Sequence, residues 1–362
     1  MNIGILKENL ITEWRVALTP AGAHSLIKGG HNVIFEKDAA SKCRFTDEDY
    51  ERAGAKIVYS AEEVIGRSDI ILKVFPMTEE QIDMVEDAKT IFAFWHFETS
   101  GKKIVEKILQ KKINSIGYEL IEDVDGNHPV LEVSSEIAGQ LAIPIAQKCL
   151  QSNYNGRGIL LGGIPGVPPA AVVIIGAGVV GSAAVRNALG AGAHVSVLDI
   201  DVNQLKRLTD MYPGRITTAI ANEYNIERGV KYADVLISAV RMGASRTPHI
   251  ITEDMIKSMK KNSVFIDISI DQGGISETSR PTTTLDPIYV KHGVLHHCVP
   301  NIPSVVARTA TYGLTNAALP YIRSVADIGL TEAMEQDPGF AHGVWTLNGK
   351  CVKELLRTLY KI

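Results

Sequence analysis

Gly176, Gly178 and Gly181 stand between an apolar run, residues 172–175, and an alanine-rich stretch, residues 182–188. A Gly-x-Gly-x-x-Gly spacing serves pyrophosphate binding. The first glycine turns tightly out of a strand, and the second lets the backbone approach the phosphates. The third permits close packing of the next helix, whose N-terminus is positive. Val179 and Val180 fill the turn. The spacing is weak on its own, and the strand–turn–helix setting gives it weight. Asp199 ends the following apolar run, where a carboxylate accepts hydrogen bonds from a ribose 2′-OH and repels a 2′-phosphate. Ile200 and Asp201 come next and bring no arginine to reverse that preference. The expected cofactor is therefore NAD rather than NADP.

Four further residues have chemistry suited to a small acid. Arg15 lies in the turn after the first apolar run, and a guanidinium can grip a carboxylate bidentately. A surface arginine ahead of a helix is the plainer alternative. Lys73 is a charge near the end of the apolar run 70–74, a position that is costly unless paired or snorkelling. His96 follows the run 90–95, and imidazole titrates near neutrality. Nothing local separates it from the other histidines. Asp271 terminates the strand-like stretch that begins at Ser263 and stands beside Gly273 and Gly274. It either activates water or forms an Asx turn. His296-His297-Cys298 resembles a metal site only superficially, because neighbours in a strand point to opposite faces. No zinc-like spacing supports it elsewhere, so no metal is expected.

The elements that must position these groups alternate. Residues 2–6, 31–35, 56–59, 70–74, 90–94 and 113–118 read as strands with helical patterns between them. Thr19-Pro20 supplies an N-cap and an N1 proline, and Gly29-Gly30 a stop. Residues 132–151 read as one long helix with Pro144 as a kink, followed by the Gly/Pro-rich stretch 156–169. A second strand series covers 172–175, 194–199, 215–219, 235–239, 263–268 and 293–298. Helices dominate after Pro303, the last over 352–360. This alternation predicts an α/β chain with two Rossmann-like, doubly wound parallel-sheet domains, each sheet covered on both faces. The second sheet has its full set of strands, so the C-terminal helices must return to the first domain. Residues 1–131 and 304–362 then form one discontinuous domain, with 132–303 inserted in it.

Composition agrees. A chain of 362 residues, 45% hydrophobic and 22% charged, can build two buried cores. A net charge of −4 gives no attraction to nucleic acid or an anionic membrane surface. The four cysteines, Cys43, Cys149, Cys298 and Cys351, are scattered as expected of thiols in a reducing compartment. No apolar run approaches the ~20 residues that span a bilayer, and residues 1–10 lack a signal-peptide pattern. The expectation is a soluble cytoplasmic protein.

Several segments are similar, in order, to one family: Glu13-Trp14-Arg15 with the VALTP that follows, Ile71-Leu72-Lys73-Val74, Phe94-Trp95-His96, and Ser134-Ser135-Glu136 through Gly139. Gly162 through Pro168, Ile270-Asp271-Gln272-Gly273-Gly274, Glu277 through Thr283, and Asn301-Ile302-Pro303 complete the set. The chain resembles the alanine dehydrogenase and transhydrogenase α-subunit family. The resemblance implies reversible NAD-dependent oxidative deamination of L-alanine, or a similar small L-amino acid, to pyruvate and ammonium. It makes the discontinuous domain the substrate domain and 132–303 the NAD domain, and implies a homo-oligomer, commonly a hexamer. It assigns Arg15 and Lys73 to the substrate, and His96 and Asp271 to catalysis. Ser135, Gly176, Gly178, Val179, Val180, Gly181, Asp199, Val240, Ile270, Asp271, Arg280, Val299, Asn301 and Ile302 are assigned to the cofactor.

Two other readings stand beside it: the NAD-binding α-subunit of a proton-translocating transhydrogenase, and an opine- or saccharopine-type amino-acid dehydrogenase. Asp271-Gln272-Gly273-Gly274 and Ser134-Ser135-Glu136 favour the soluble dehydrogenase branch. The chain departs from the family pattern in three places. Lys73 is followed by Val-Phe-Pro without the usual acid, Arg241-Met242-Gly243-Ala244 replaces a Pro-Gly-Ala stretch, and Ala221-Asn222 lacks a serine.

Overall fold

In the computed structural model the early apolar runs become short parallel strands: β1 (Asn2–Ile5), β2 (Asn32–Glu36), β3 (Lys56–Val58), β4 (Ile70–Leu72), β5 (Thr90–Ala93) and β6 (Asn114–Gly117). The structure describes residues 1–8, 12–86, 88–97, 101–240 and 248–362. Residues 1–134 with 304–362 form one unit and residues 135–303 a second.

Within the first unit, Ile3, Gly4 and Ile5 pair with Val33, Ile34 and Phe35 of β2 on one side. On the other they pair with Ile70, Ile71 and Leu72 of β4. The six strands lie in the order β3-β2-β1-β4-β5-β6. The chain direction across the sheet therefore reverses between β1 and β4, and such a reversal opens a crevice at the carboxyl ends of those strands. The helix Pro20–Lys28 starts where the sequence predicts, with the Thr19 hydroxyl accepting the Gly22 N–H at 3.1 Å. The later helix Ala307–Ile328 lays Leu314, Ala318, Ile322 and Val325 against Ile3, Ile5, Leu26 and Phe35 in one core.

The second unit carries β7 (Ala171–Ile175), β8 (His194–Asp199), β9 (Ile216–Ile220), β10 (Val235–Ser238), β11 (Val264–Asp267), β12 (Ile288–Lys291) and β13 (Val294–His297). Its order, β9-β8-β7-β10-β11-β13-β12, reverses between β7 and β10 in the same way. The first sheet gains two more strands, β14 (Val344–Leu347) and β15 (Lys350–Cys351), beyond β6.

Strands β12, β14 and β15 are absent from the sequence reading, and all three pair antiparallel. Their signal is turn chemistry. His292-Gly293, at φ 52° and 77°, and Asn348-Gly349, at φ 49° and 78°, are two-residue hairpin turns with both residues left-handed. The hairpin moves the start of the last helix to Glu354, so it spans Glu354–Tyr360. The long helix runs Pro129–Cys149, because proline is well placed in a first turn. Val130 belongs to the first core, whereas Ala142, Ile143 and Ala146 belong to the second. All four cysteines are buried free thiols. Among the described residues no helix is long and apolar enough to cross a membrane.

Candidate functional site

The glycine turn of the second unit joins β7 to the helix Val179–Gly190. Gly176 has φ 105°, and a Cβ there would collide with the Ala239 carbonyl at the end of β10. A Cβ on Gly181 would collide with the Gly176 carbonyl. Gly178 differs: its backbone is ordinary, and an added Cβ meets nothing within 4 Å among the described residues. Two glycines thus shape the turn, and the third keeps one side of it clear. Among the described residues no side chain caps the helix at Gly178, which leaves its positive end to an anion. This arrangement fits a dinucleotide pyrophosphate.

Val179 and Val180 are half-buried in the first helical turn. The helix Pro129–Cys149 reaches this turn at Gly139, where any Cβ would strike the Val180 carbonyl. Ser135 lies one turn before Gly139 on the same helix face. Glu136 pairs with Arg186. Asp199 has both oxygens engaged, accepting the Ala177 N–H at 2.5 Å and the Asp201 N–H at 2.8 Å. It therefore braces the glycine turn from the end of β8. Arg207, which sequence spacing did not suggest, reaches the same turn from the helix Val202–Met211. It donates to the Ser182 hydroxyl at 2.7 Å and the Ala177 carbonyl at 3.2 Å.

Asp271 does not end a strand. Strand β11 stops at Asp267, and Asp271 sits in the 3₁₀ turn Ile268–Gln272 that follows. The strand stops because Asp267 turns its carboxylate back onto the backbone, accepting the Ser269 N–H at 3.1 Å. Asp271 accepts the Asn301 N–H at 3.1 Å, with Asn301 held left-handed at φ 54°. Ile270, Val299 and Ile302 are buried. Val240 follows β10, and its carbonyl accepts the Ser269 hydroxyl at 2.8 Å. The Arg280 guanidinium lies 4.1 Å from the Tyr289 ring centroid. Asp271, Asn301, Val240 and the glycine turn thus cluster at the carboxyl ends of β7, β10, β11 and β13. His296 and His297 lie in β13; His296 bonds Thr278 at 2.9 Å and the Val294 carbonyl at 3.0 Å. Burial pushes both imidazoles down to about 4. Arg241-Met242-Gly243-Ala244 lies outside the described residues.

In the first unit, Arg15, Lys73 and His96 follow β1, β4 and β5, three neighbouring strands. Lys73 is buried, its ammonium 3.3 Å from Glu8 Oε2 and donating to the Lys7 carbonyl at 3.3 Å. Glu8 also accepts the Val74 N–H at 2.7 Å. Burial pushes the Glu8 carboxyl above its usual range, while the Lys73 charge opposes that rise. Lys73 thus has a buried acid partner from the segment that follows β1. Arg15 is buried and forked onto Glu13, with Nε–Oε1 at 2.9 Å and Nη2–Oε2 at 2.8 Å; Nη1 lies 3.4 Å from the Ser134 hydroxyl.

His96 has φ 43°, a left-handed conformation rare for a residue with a side chain and costing about 1–3 kcal/mol. Glu119 holds it there, accepting the His96 N–H at 3.1 Å and the Trp345 indole N–H at 3.0 Å. Among the described residues, Glu119 Oε2 and the Tyr118 hydroxyl are buried without a hydrogen-bond partner. Glu8 and Glu119 were missed, although each follows its strand at a carboxyl end, the same signal that selected Arg15.

Residues 4–138 match the alanine dehydrogenase/PNT N-terminal domain, and residues 142–354 the C-terminal domain of the same family. An alanine dehydrogenase of Methanococcus maripaludis is 41% identical over 355 residues, covering 98% of this chain and 95% of that protein. One from Staphylococcus epidermidis is 42% identical over 350 residues, covering 96% and 94%. The solved structure of an L-alanine dehydrogenase superposes with a TM-score of 0.95 at 35% identity, covering 100% of this chain and 99% of that one. A transhydrogenase from Sinorhizobium meliloti shares the fold at a TM-score of 0.82 and 21% identity, covering 98% and 100%.

Proposed function

The chain belongs to the alanine dehydrogenase/PNT family, and from that premise we propose that it oxidatively deaminates L-alanine, or a similar small L-amino acid, with NAD. The overall reaction converts amino acid, NAD⁺ and water to 2-oxo acid, ammonium, NADH and a proton, reversibly. The observation that carries the reading is in the first unit. Two buried cations and a strained histidine stand at the carboxyl ends of adjacent strands, around the point where strand order reverses.

Arg15 and Lys73 hold the substrate carboxylate. Both already carry buried acid partners, which hold them in position. NAD, held by Ser135, the Gly176–Gly181 turn, Asp199, Val240, Ile270, Arg280, Val299, Asn301 and Ile302, supplies the hydride acceptor. His96 takes the proton released from nitrogen and, with Asp271, assists water in attacking the substrate imine. Collapse of the resulting carbinolamine releases ammonium. The left-handed backbone of His96 supports this role, since such strain gathers at functional sites.

A homo-oligomer, hexameric by family resemblance, and a cytoplasmic location belong to the same reading; sedimentation of the purified protein tests the assembly. Turnover is tested by NADH formation from each L-amino acid. The reverse reaction is followed with pyruvate, glyoxylate or 2-oxobutanoate plus ammonium. L-Alanine and pyruvate should be among the best pairs. No turnover of any amino acid would sink the proposal and favour a transhydrogenase subunit, and preference for a secondary amine would favour an opine-type enzyme.

A further inference from the structure

Asp267 is buried at the end of β11 and forms no ion pair among the described residues. A carboxylate in that position is stable only if its oxygens are satisfied by donors. Four donors converge on it. Oδ1 accepts the Ser238 hydroxyl at 2.5 Å and the Ser269 N–H at 3.1 Å. Oδ2 accepts the Ile275 N–H at 3.1 Å and the Ser279 hydroxyl at 2.5 Å. The arrangement has a direction. Ser269 and Ile275 are the two flanks of the loop that carries Asp271, Ser238 is the last residue of β10, and Ser279 precedes Arg280.

The paired glycines of the loop belong to the same device. Gly273 and Gly274 turn the chain at φ 99° and 81°, which side chains resist. A Cβ on Gly274 would lie 2.8 Å from Asp267 Oδ2 and 2.7 Å from Ser279 Cβ, so only glycine lets the loop close onto the carboxylate. Ser269 completes the frame by donating to the Val240 carbonyl.

We propose that Asp267 is a positioning residue that clamps both ends of the Asp271 loop and sets where the Asp271 carboxylate stands for the reaction. The inference rests on the reading of Asp271 as catalytic. An amide in place of the carboxylate would turn a donor toward one of the two backbone N–H groups, which cannot rotate away. The loop would then shift while the strand beneath it stays paired. A displacement of about 1 Å at a reacting group costs on the order of 10²-fold in rate.

The test is a double-variant cycle on the full-length enzyme with NAD present, comparing Asp267→Asn, Asp271→Ala and the pair. Asp267→Asn should lower kcat for alanine about 10²-fold with little change in alanine KM, whose determinants lie in the first unit. The pair should lose little beyond Asp271→Ala alone. Should Asp267→Asn fail to fold, Ser279→Ala removes one donor and keeps the charge; its smaller loss of kcat must likewise vanish in the Asp271→Ala background. Losses that simply multiply, or a lowered melting temperature with unchanged kcat, would overturn the positioning role and leave the proposed function intact. Normal turnover by Asp271→Ala would overturn the catalytic assignment and this inference with it.

Discussion

Replacing Gly178 by valine should separate cofactor binding from folding, and the neighbouring glycines supply the contrast. Gly178 has extended backbone at φ −67° and ψ −159°, and its Cβ direction is empty to 4 Å among the described residues. None of the described residues therefore has to move for the new side chain. Loss of glycine freedom in the unfolded state contributes about 0.4–1 kcal/mol in favour of the variant, so its stability should stay within about 1 kcal/mol of the parent. Binding should behave otherwise, because the empty side is where backbone N–H groups must approach a pyrophosphate. Hydrogen bonds to a charged group contribute about 1.5–3 kcal/mol each. Losing two therefore costs about 3–6 kcal/mol, or at least 100-fold in Kd. Gly181→Ala should show the reverse order of damage, since its methyl must displace the Gly176 carbonyl before any ligand arrives. Calorimetric NAD titration beside thermal melts decides the matter. Parent-like NAD affinity in Gly178→Val, or a loss of stability as large as that of Gly181→Ala, would refute the division of roles among the three glycines.

Asp199→Ala removes the acceptor at the end of β8 and the brace on Ala177, so NAD should weaken about 10–100-fold and the preference over NADP should narrow. An unchanged ratio of kcat/KM for the two cofactors would contradict this. His96→Ala should lower kcat by about 10²–10⁴-fold with NAD affinity retained, whereas Lys73→Ala should mainly raise the KM of the 2-oxo acid. Near-normal kcat of the histidine variant from about pH 6 to 10 would remove it as the acid–base group. His296 and His297, neutral when folded because burial lowers both to about 4, take up protons more readily when unfolded. Stability should therefore be full above about pH 6.5 and fall toward pH 4, by up to about 1.4 kcal/mol per pH unit for each imidazole. Denaturant melts at pH 7.5 and 5 should show a smaller difference for His297→Gln than for the parent, and an equal difference would reject the linkage.

Much of the architecture was legible because parallel strands buried on both faces read as unbroken apolar runs. The runs at 70–72 and 172–175 are plain examples. Hairpins at the sheet edges hide better. Residues 344–351 contain little apolar periodicity, and only Asn348-Gly349 announces the reversal. For the site, motif spacing found Gly176, Gly178 and Gly181, since a turn over a phosphate is a local problem with a local solution. Glu8, Glu119 and Asp267 escaped for the opposite reason. Each matters through partners far away in the chain: Glu8 through Lys73, Glu119 through His96 and Trp345, Asp267 through Ser238 and Ser279. A carboxylate reads the same in sequence whether it is solvated or clamps a loop.

The interruption of the first unit by the second sets the order in which a nascent chain can mature. Strand β6 leaves the ribosome early, but its partner β14, paired through Ile116 and Val344, is made only after the entire second unit. The helix Ala307–Ile328, which covers Ile3, Ile5, Leu26 and Phe35, is equally late. The inserted unit is contiguous and can complete its core during synthesis, as domains generally do. The first unit must wait half-assembled, with one apolar flank uncovered. Closing so long a loop costs little extra entropy, because the penalty grows only with the logarithm of length, so the burden is one of timing rather than equilibrium. A chain released before residue 304 would carry a finished second unit joined to an adhesive sheet, the kind of fragment that chaperones hold and proteases remove.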